Sequence, residues 1–179
     1  MCLSFFSGEP GFFISFFDRC SQQGLSCSAS LEHCLQLMQH DYYFYASFEN
    51  SICKDYFTEK LFTPLKFNLI PIAINGAYRN LSTIVPENSF IFANSFKSIA
   101  ELAQELKTIA SNSSIYSNYF QWKQKFNVKR NVSMQALCSL CAKLNTINDE
   151  KEDQATRIIS DMKNWLIDES QCRKTIFDN

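Results

Sequence analysis

No excess of charge of either sign marks this chain of 179 residues: 17 Lys and Arg oppose 18 Asp and Glu, for a formal net charge of -1. Domains that bind nucleic acid usually carry a basic patch, so composition makes no case for such a partner. Long apolar runs are also missing. The Phe-rich opening MCLSFFSGEPGFFISFF is interrupted by Gly8, Glu9, Pro10 and Gly11, well short of the ~20 residues that a membrane helix needs. No basic segment precedes it, as a secretory signal would require. No D-x-D sequence occurs, so no visible motif calls for a divalent metal, and none is expected. Histidine is scarce: His33 and His40 lie on a polar stretch and read as ordinary surface residues. With no second CxxC and no paired His, Cys138 and Cys141 have nothing to complete a tetrahedral zinc site. A lone CxxC leaves a redox pair or half of a metal site as its alternatives.

What is present is enough apolar material for one domain, since 46% of the residues are hydrophobic and a chain of this length can bury a sizeable core. The eight cysteines, Cys2, Cys20, Cys27, Cys34, Cys53, Cys138, Cys141 and Cys172, are many for a cytosolic protein of this size and suit an oxidising lumen. Three glycosylation sequons, at Asn80, Asn112 and Asn131, point the same way.

The most informative stretch is DYYFYASFENSICKDYFTEKLFTPL, residues 41 to 65. Tyr42 to Phe48 alternate and are rich in aromatics, which predicts a buried strand. Glu49, Asn50 and Ser51 break the apolar run where a strand would end at the rim of an α/β sheet, the place where such sheets bind ligands. Asp55 is a good N-cap, so a helix is expected from Tyr56. On it Phe57, Leu61, Pro64 and Leu65 would face inward and Tyr56, Glu59, Lys60 and Thr63 outward. First-turn amides, the helix dipole and Lys60 would favour a phosphate, and Glu59 could accept hydrogen bonds from sugar hydroxyls, as in a nucleotide-sugar site.

Farther on, LIPIAI reads as a central parallel strand ended by Gly76, and Ser89 to Ala93 as another strand. Residues 96 to 110 have the pattern of an amphipathic helix. Residues 112 to 125 also look helical, with Tyr119, Phe120 and Trp122 assigned to the core. Two more helices are expected at 132 to 144 and 152 to 168, joined by the solvated link NDEKED. This order implies an α/β layer fold with a parallel sheet. Three parts are expected: a poorly defined segment 1-30, a Rossmann-like domain 31-130, and a helical segment 131-179 packing on it.

FENSICKDYFTEKLF resembles the signature of the α1,3/α1,4-fucosyltransferases, glycosyltransferase family 10. The match runs, with identical spacing, through Phe44, Tyr45, Phe48, Glu49, Asn50, Ser51, Asp55, Tyr56, Thr58, Glu59, Lys60, Leu61 and Phe62. LIPIAINGAYRN, VPENSFIFANSFKSIAELAQEL and YSNYFQWKQKF extend the likeness over roughly residues 40 to 126. The resemblance implies the C-terminal half of a two-domain GT-B enzyme that transfers fucose from GDP-fucose to a GlcNAc-containing glycan acceptor with inversion. It implies that Lys60 neutralises the diphosphate and Glu59 holds the ribose, with Tyr56 and Asn50 lining the donor pocket beside Glu49, Ser51 and the wall at Gly76. It also implies a disulfide cluster involving Cys138, Cys141 and Cys172. Location in the Golgi lumen follows, at the Golgi cisterna membrane through a segment not visible in this chain.

Departures from the family pattern are specific. Tyr43 stands where lysine is usual, Ala77, Tyr78 and Arg79 replace the usual Gly-Ala-Asn-Tyr, and residues 1 to 30 carry no clear counterpart of the upstream arginine segment. The catalytic base is expected in the family's N-terminal domain and is unassigned here. The alternatives are a short product that binds a GDP-sugar or a full-length partner without catalysis, and a luminal thiol protein using Cys138 and Cys141.

Overall fold

The computed structural model describes residues 3–6, 14–17, 30–74, 84–129, 132–146 and 161–172. Strands β1 (Leu3–Phe6) and β2 (Ile14–Phe17) come first, followed by helix α1 (Leu31–Met38) and strand β3 (Phe44–Ser47). The short helix α2 (Glu59–Phe62) leads through a 3-10 turn at Pro64–Lys66 into β4 (Ile70–Ala73). Strand β5 (Ile91–Phe92), helices α3 (Ile99–Ser111) and α4 (Ser113–Asn118), a 3-10 turn at Gln121–Gln124 and helix α5 (Val132–Thr146) complete the order, with a π-helical turn at Asn164–Asp168.

One sheet carries the strands in the order β2-β1-β3-β4-β5. The last three run parallel, with Phe44 opposite Ile70 and Ile72 opposite Ile91. Side chains alternate between the two faces of a strand, and helices receive both faces. Phe44, Ala46, Ile70, Ile72 and Ile91 join Leu106 and Ile109 of α3 in one cluster. On other faces Tyr45 meets Cys34 and Leu35 of α1, and Ala73 meets Leu61, Leu65 and Trp122. All four residues of β3 and of β4 are buried, as a sheet covered on both sides requires. This is the α/β layering with a parallel sheet expected from the sequence.

Proline inside a central strand ordinarily removes a ladder hydrogen bond. Pro71 loses none. The Ile70 amide donates to Tyr43 O at 2.9 Å, so the amide position of residue 71 faces β5, whose pairing begins only at Ile72. The helix α3 starts where Ser98 accepts from the Glu101 amide at 3.2 Å, while Glu101 reaches back to the Lys97 amide at 2.7 Å. The first bond satisfies a donor that an uncapped helix leaves open, and the second fixes the chain just before the cap.

Several boundaries differ from the sequence reading. The strand expected over 42 to 48 is Phe44–Ser47, and the one over 89 to 93 is Ile91–Phe92. The helix expected over 112 to 125 is α4, capped by Asn112, and then a separate 3-10 turn. Trp122 is buried, and Tyr119 and Phe120 pack partly buried against the main cluster, as assigned. In the segment read as poorly defined, β1 and β2 form an antiparallel pair that extends the sheet beyond β3, with Phe5 opposite Tyr45. The expected helix over 132 to 144 is α5, whereas most of the one over 152 to 168 lies outside the described residues.

Cys53 is joined to Cys172 across a sequence separation of 119, and the Lys54 amide donates to Ser170 O at 2.7 Å beside the bridge. Cys138 and Cys141 are free and exposed on α5. The expected pairing within Cys138, Cys141 and Cys172 is therefore corrected: Cys172 reaches back to the loop after β3. Cys34 is also disulfide-bonded. Among the described residues no helix is long and apolar enough to cross a membrane.

Candidate functional site

The loop after β3 leaves the sheet at the carboxyl ends of the parallel strands, where open α/β sheets place their ligands. Glu49 begins it. Its side chain is 2% exposed, and a carboxylate so buried requires partners. Oε1 accepts from the Thr58 amide at 2.7 Å, and Thr58 Oγ1 donates to the carboxylate from 2.9 Å of either oxygen. Oε2 also lies 3.4 Å from the Lys60 ammonium. Asn50 Oδ1 accepts from the same ammonium at 3.0 Å. Deeper in, Ser47 Oγ donates to Lys60 O at 2.8 Å.

These contacts correct the expected helix start. Asp55 has a φ of 58°, a left-handed conformation that Asp tolerates better than most residues, and it caps nothing. Thr58 is the N-cap instead, and α2 has only four residues. So short a helix supplies little dipole, and Glu49 already takes the Thr58 amide. The attraction for phosphate expected of a helix start is therefore weak here. The packing side of the expectation holds: Leu61, Pro64 and Leu65 are buried and Phe57 is half-buried.

Tyr56 and Glu59 stand exposed beside Lys60, and Ser51 is exposed at the bend of the loop. Burial, and then the negative charges of Glu59 and Glu49, push the Tyr45 hydroxyl well above the ordinary tyrosine value of 10.0. Gly76, Asn80 and Asn131 lie outside the described residues. Asn112 is exposed, and its Oδ1 accepts from the Ser114 and Ile115 amides at 3.0 and 3.2 Å. The sequence reading gave no role to Ser47 or Thr58, the two hydroxyls that fix this loop. Thr directly before Glu59-Lys60 was the available signal, because Thr is a preferred N-cap.

Cavities of about 460 and 440 Å³ open elsewhere. One is lined by Phe67, Trp122, Lys123 and Phe126, the other by Asp41, Tyr43, Asn68 and Tyr116. Phe67 lies just ahead of β4 and Asp41 and Tyr43 just ahead of β3, and neither lining includes a residue of the loop from Glu49 to Lys60. Among the described residues no three His, Cys, Asp or Glu side chains gather as a metal site would need.

With this geometry in hand, comparison with known families gives one match over most of the chain. The profile of glycosyltransferase family 10 (fucosyltransferase), C-terminal part, matches residues 10–165. The chain belongs to that family. Among relatives in the family, it is 36% identical over 149 residues to alpha-(1,3)-fucosyltransferase C of Drosophila melanogaster, a match covering 83% of this chain and 33% of the relative. It is 32% identical over 141 residues to glycoprotein 3-alpha-L-fucosyltransferase A of the same organism, covering 78% of this chain and 27% of the relative. Over 85 residues it is 41% identical to 4-galactosyl-N-acetylglucosaminide 3-alpha-L-fucosyltransferase 9 of Mus musculus, covering 48% of this chain and 24% of the relative. The chain thus spans a third or less of the length of these family members.

Proposed function

We propose that this chain supplies the donor-binding part of an inverting fucosyltransferase, holding GDP-fucose for transfer to a hydroxyl of a GlcNAc-containing glycan. The observation that carries the reading is Lys60, restrained by Asn50 and Glu49 at the carboxyl edge of a parallel sheet within a family 10 chain. Asn50 can occupy one of the three ammonium donors. A phosphate oxygen can take another. Tyr56 and Glu59, both exposed, are assigned to the donor pocket and the ribose, with Asn50 and Ser51 beside them, and Gly76 keeps the role in the pocket wall that the family resemblance implies. Residues 31-130 form the donor domain in this reading, and 131-179 a segment tied to it by the Cys53–Cys172 bridge, the expected packing of its helix not being seen, since residues 134 to 145 of α5 are exposed.

In an inverting displacement a carboxylate takes the acceptor hydroxyl proton as the oxygen attacks the anomeric carbon and GDP departs. Charge builds on the leaving diphosphate, and a fixed ammonium stabilises it most where water is excluded. That is the part assigned to Lys60, without a required metal ion. The base is assigned to the N-terminal domain of the family. A disulfide between Cys53 and Cys172 supports folding in an oxidising lumen, and the Golgi is the proposed location, with Asn80, Asn112 and Asn131 as acceptors for N-glycans. The test is calorimetric titration with GDP-fucose and with GDP. Saturable binding that guanosine alone reproduces only weakly is the expected result, and no binding by the folded chain would overturn the reading.

A further inference from the structure

We propose that Glu49 is a positioning residue for Lys60 rather than a contact to the donor, a role that rests on the donor-site reading above. Every contact of its carboxylate points inward. Both oxygens face Thr58 Oγ1 at 2.9 Å, Oε1 also accepts the Thr58 amide at 2.7 Å, and Oε2 lies 3.4 Å from Lys60 Nζ. At 2% exposure the side chain offers a ligand almost no surface.

One carboxylate thereby joins the end of β3 to the start of α2. It fixes Thr58, which caps α2 by accepting the Lys60 amide at 3.4 Å. It also attracts the Lys60 ammonium, which Asn50 holds as well. Ser47 holds the Lys60 carbonyl at 2.8 Å. Lys60 is restrained at its backbone and at its tip. A lysine otherwise surrenders most of its rotamer freedom when it binds an anion, whereas here that loss is taken at folding. The side chain is left 14% exposed.

Charge and position make opposite predictions for this residue. As a bare anion beside Lys60, Glu49 opposes a phosphate, so neutralising it should tighten binding. As the group that aims Lys60, its loss should weaken binding. The experiment titrates GDP and guanosine into the wild type, Glu49→Gln and Glu49→Asp, with thermal melts confirming that each is folded. Glu49→Asp keeps the charge and withdraws it by one methylene, so it isolates position and carries the test should Glu49→Gln fail to fold. The expected result is a loss of about tenfold in GDP affinity for both variants with guanosine affinity unchanged. A general collapse of the loop would weaken both ligands alike and overturn the assignment, as would GDP affinity equal to or above the wild type in either variant. Failure of the wild type itself to bind GDP would remove the donor site, and the role of Glu49 with it.

Discussion

Lys60 carries more of this account than any other residue, and its ties make two effects separable. Replacing it by Ala removes a charge-assisted contact to phosphate, worth about 1.5 to 3 kcal/mol, so GDP should bind roughly tenfold or more weakly by calorimetry. The same change leaves the Glu49 carboxylate, 2% exposed, without its counter-charge. Urea melts should record a stability loss of about 1 to 3 kcal/mol. Equal GDP affinities would remove Lys60 from the site, and unchanged stability would show the ion pair to be idle. At this scale the sequence was informative about which residues form one cluster and less so about how each faces. Glu49, Asn50 and Lys60 stand together as the motif implied. The inward turn of Glu49 was hidden because a carboxylate in a loop reads the same whether it faces solvent or a threonine nine positions on.

Among the elements, the three parallel strands were legible because each is a short apolar run with turn residues at its end. The start of α2 was misplaced, since Asp55 and Thr58 are both good caps and only the reach of Glu49 decides between them. Thr58→Ala should cost about 1 kcal/mol in cap and hydrogen bonds, measurable by denaturant melts, and no loss would contradict the capping role. The segment from α4 to Trp122 bears a second test. Tyr116 donates to Asn68 O at 2.7 Å, just ahead of β4, and packs edge-on to Tyr43 at 5.0 Å. Burial, with a smaller contribution from Tyr43, raises its hydroxyl well above the ordinary value of 10.0. The unfolded chain therefore ionises first. The contribution is complete below pH 10.0 and is lost as pH rises beyond it. Tyr116→Phe should cost about 1 kcal/mol near neutral pH and flatten the decline in stability above pH 10.0. An unchanged decline would mean that Tyr116 ionises normally in the folded state.

For the whole molecule, the sheet is closed off by pieces that no local pattern announced. β1 and β2 pair beyond β3, although glycine and proline between them suggested only an interrupted run. The Cys53 to Cys172 bridge ties the end of the described chain to the loop after β3, and eight cysteines in a sequence cannot reveal their pairing. A closed loop of that length restricts the unfolded chain strongly, so Cys172→Ser should lower stability by about 2 to 5 kcal/mol. Alkylation without reductant, read by mass spectrometry, should label Cys138 and Cys141 and leave Cys53 linked to Cys172. Label on Cys53 would contradict the bridge.

The central claim is that the donor diphosphate is held by the loop from Glu49 to Lys60. Amide chemical-shift mapping on the isotopically labelled chain during a GDP titration tests it most directly. The account predicts that saturating shifts concentrate between Ser47 and Leu61 and lose saturation in Lys60→Ala. Shifts confined to Asn68, Tyr116 and Lys123, beside the cavities at the other end of the sheet, would contradict it.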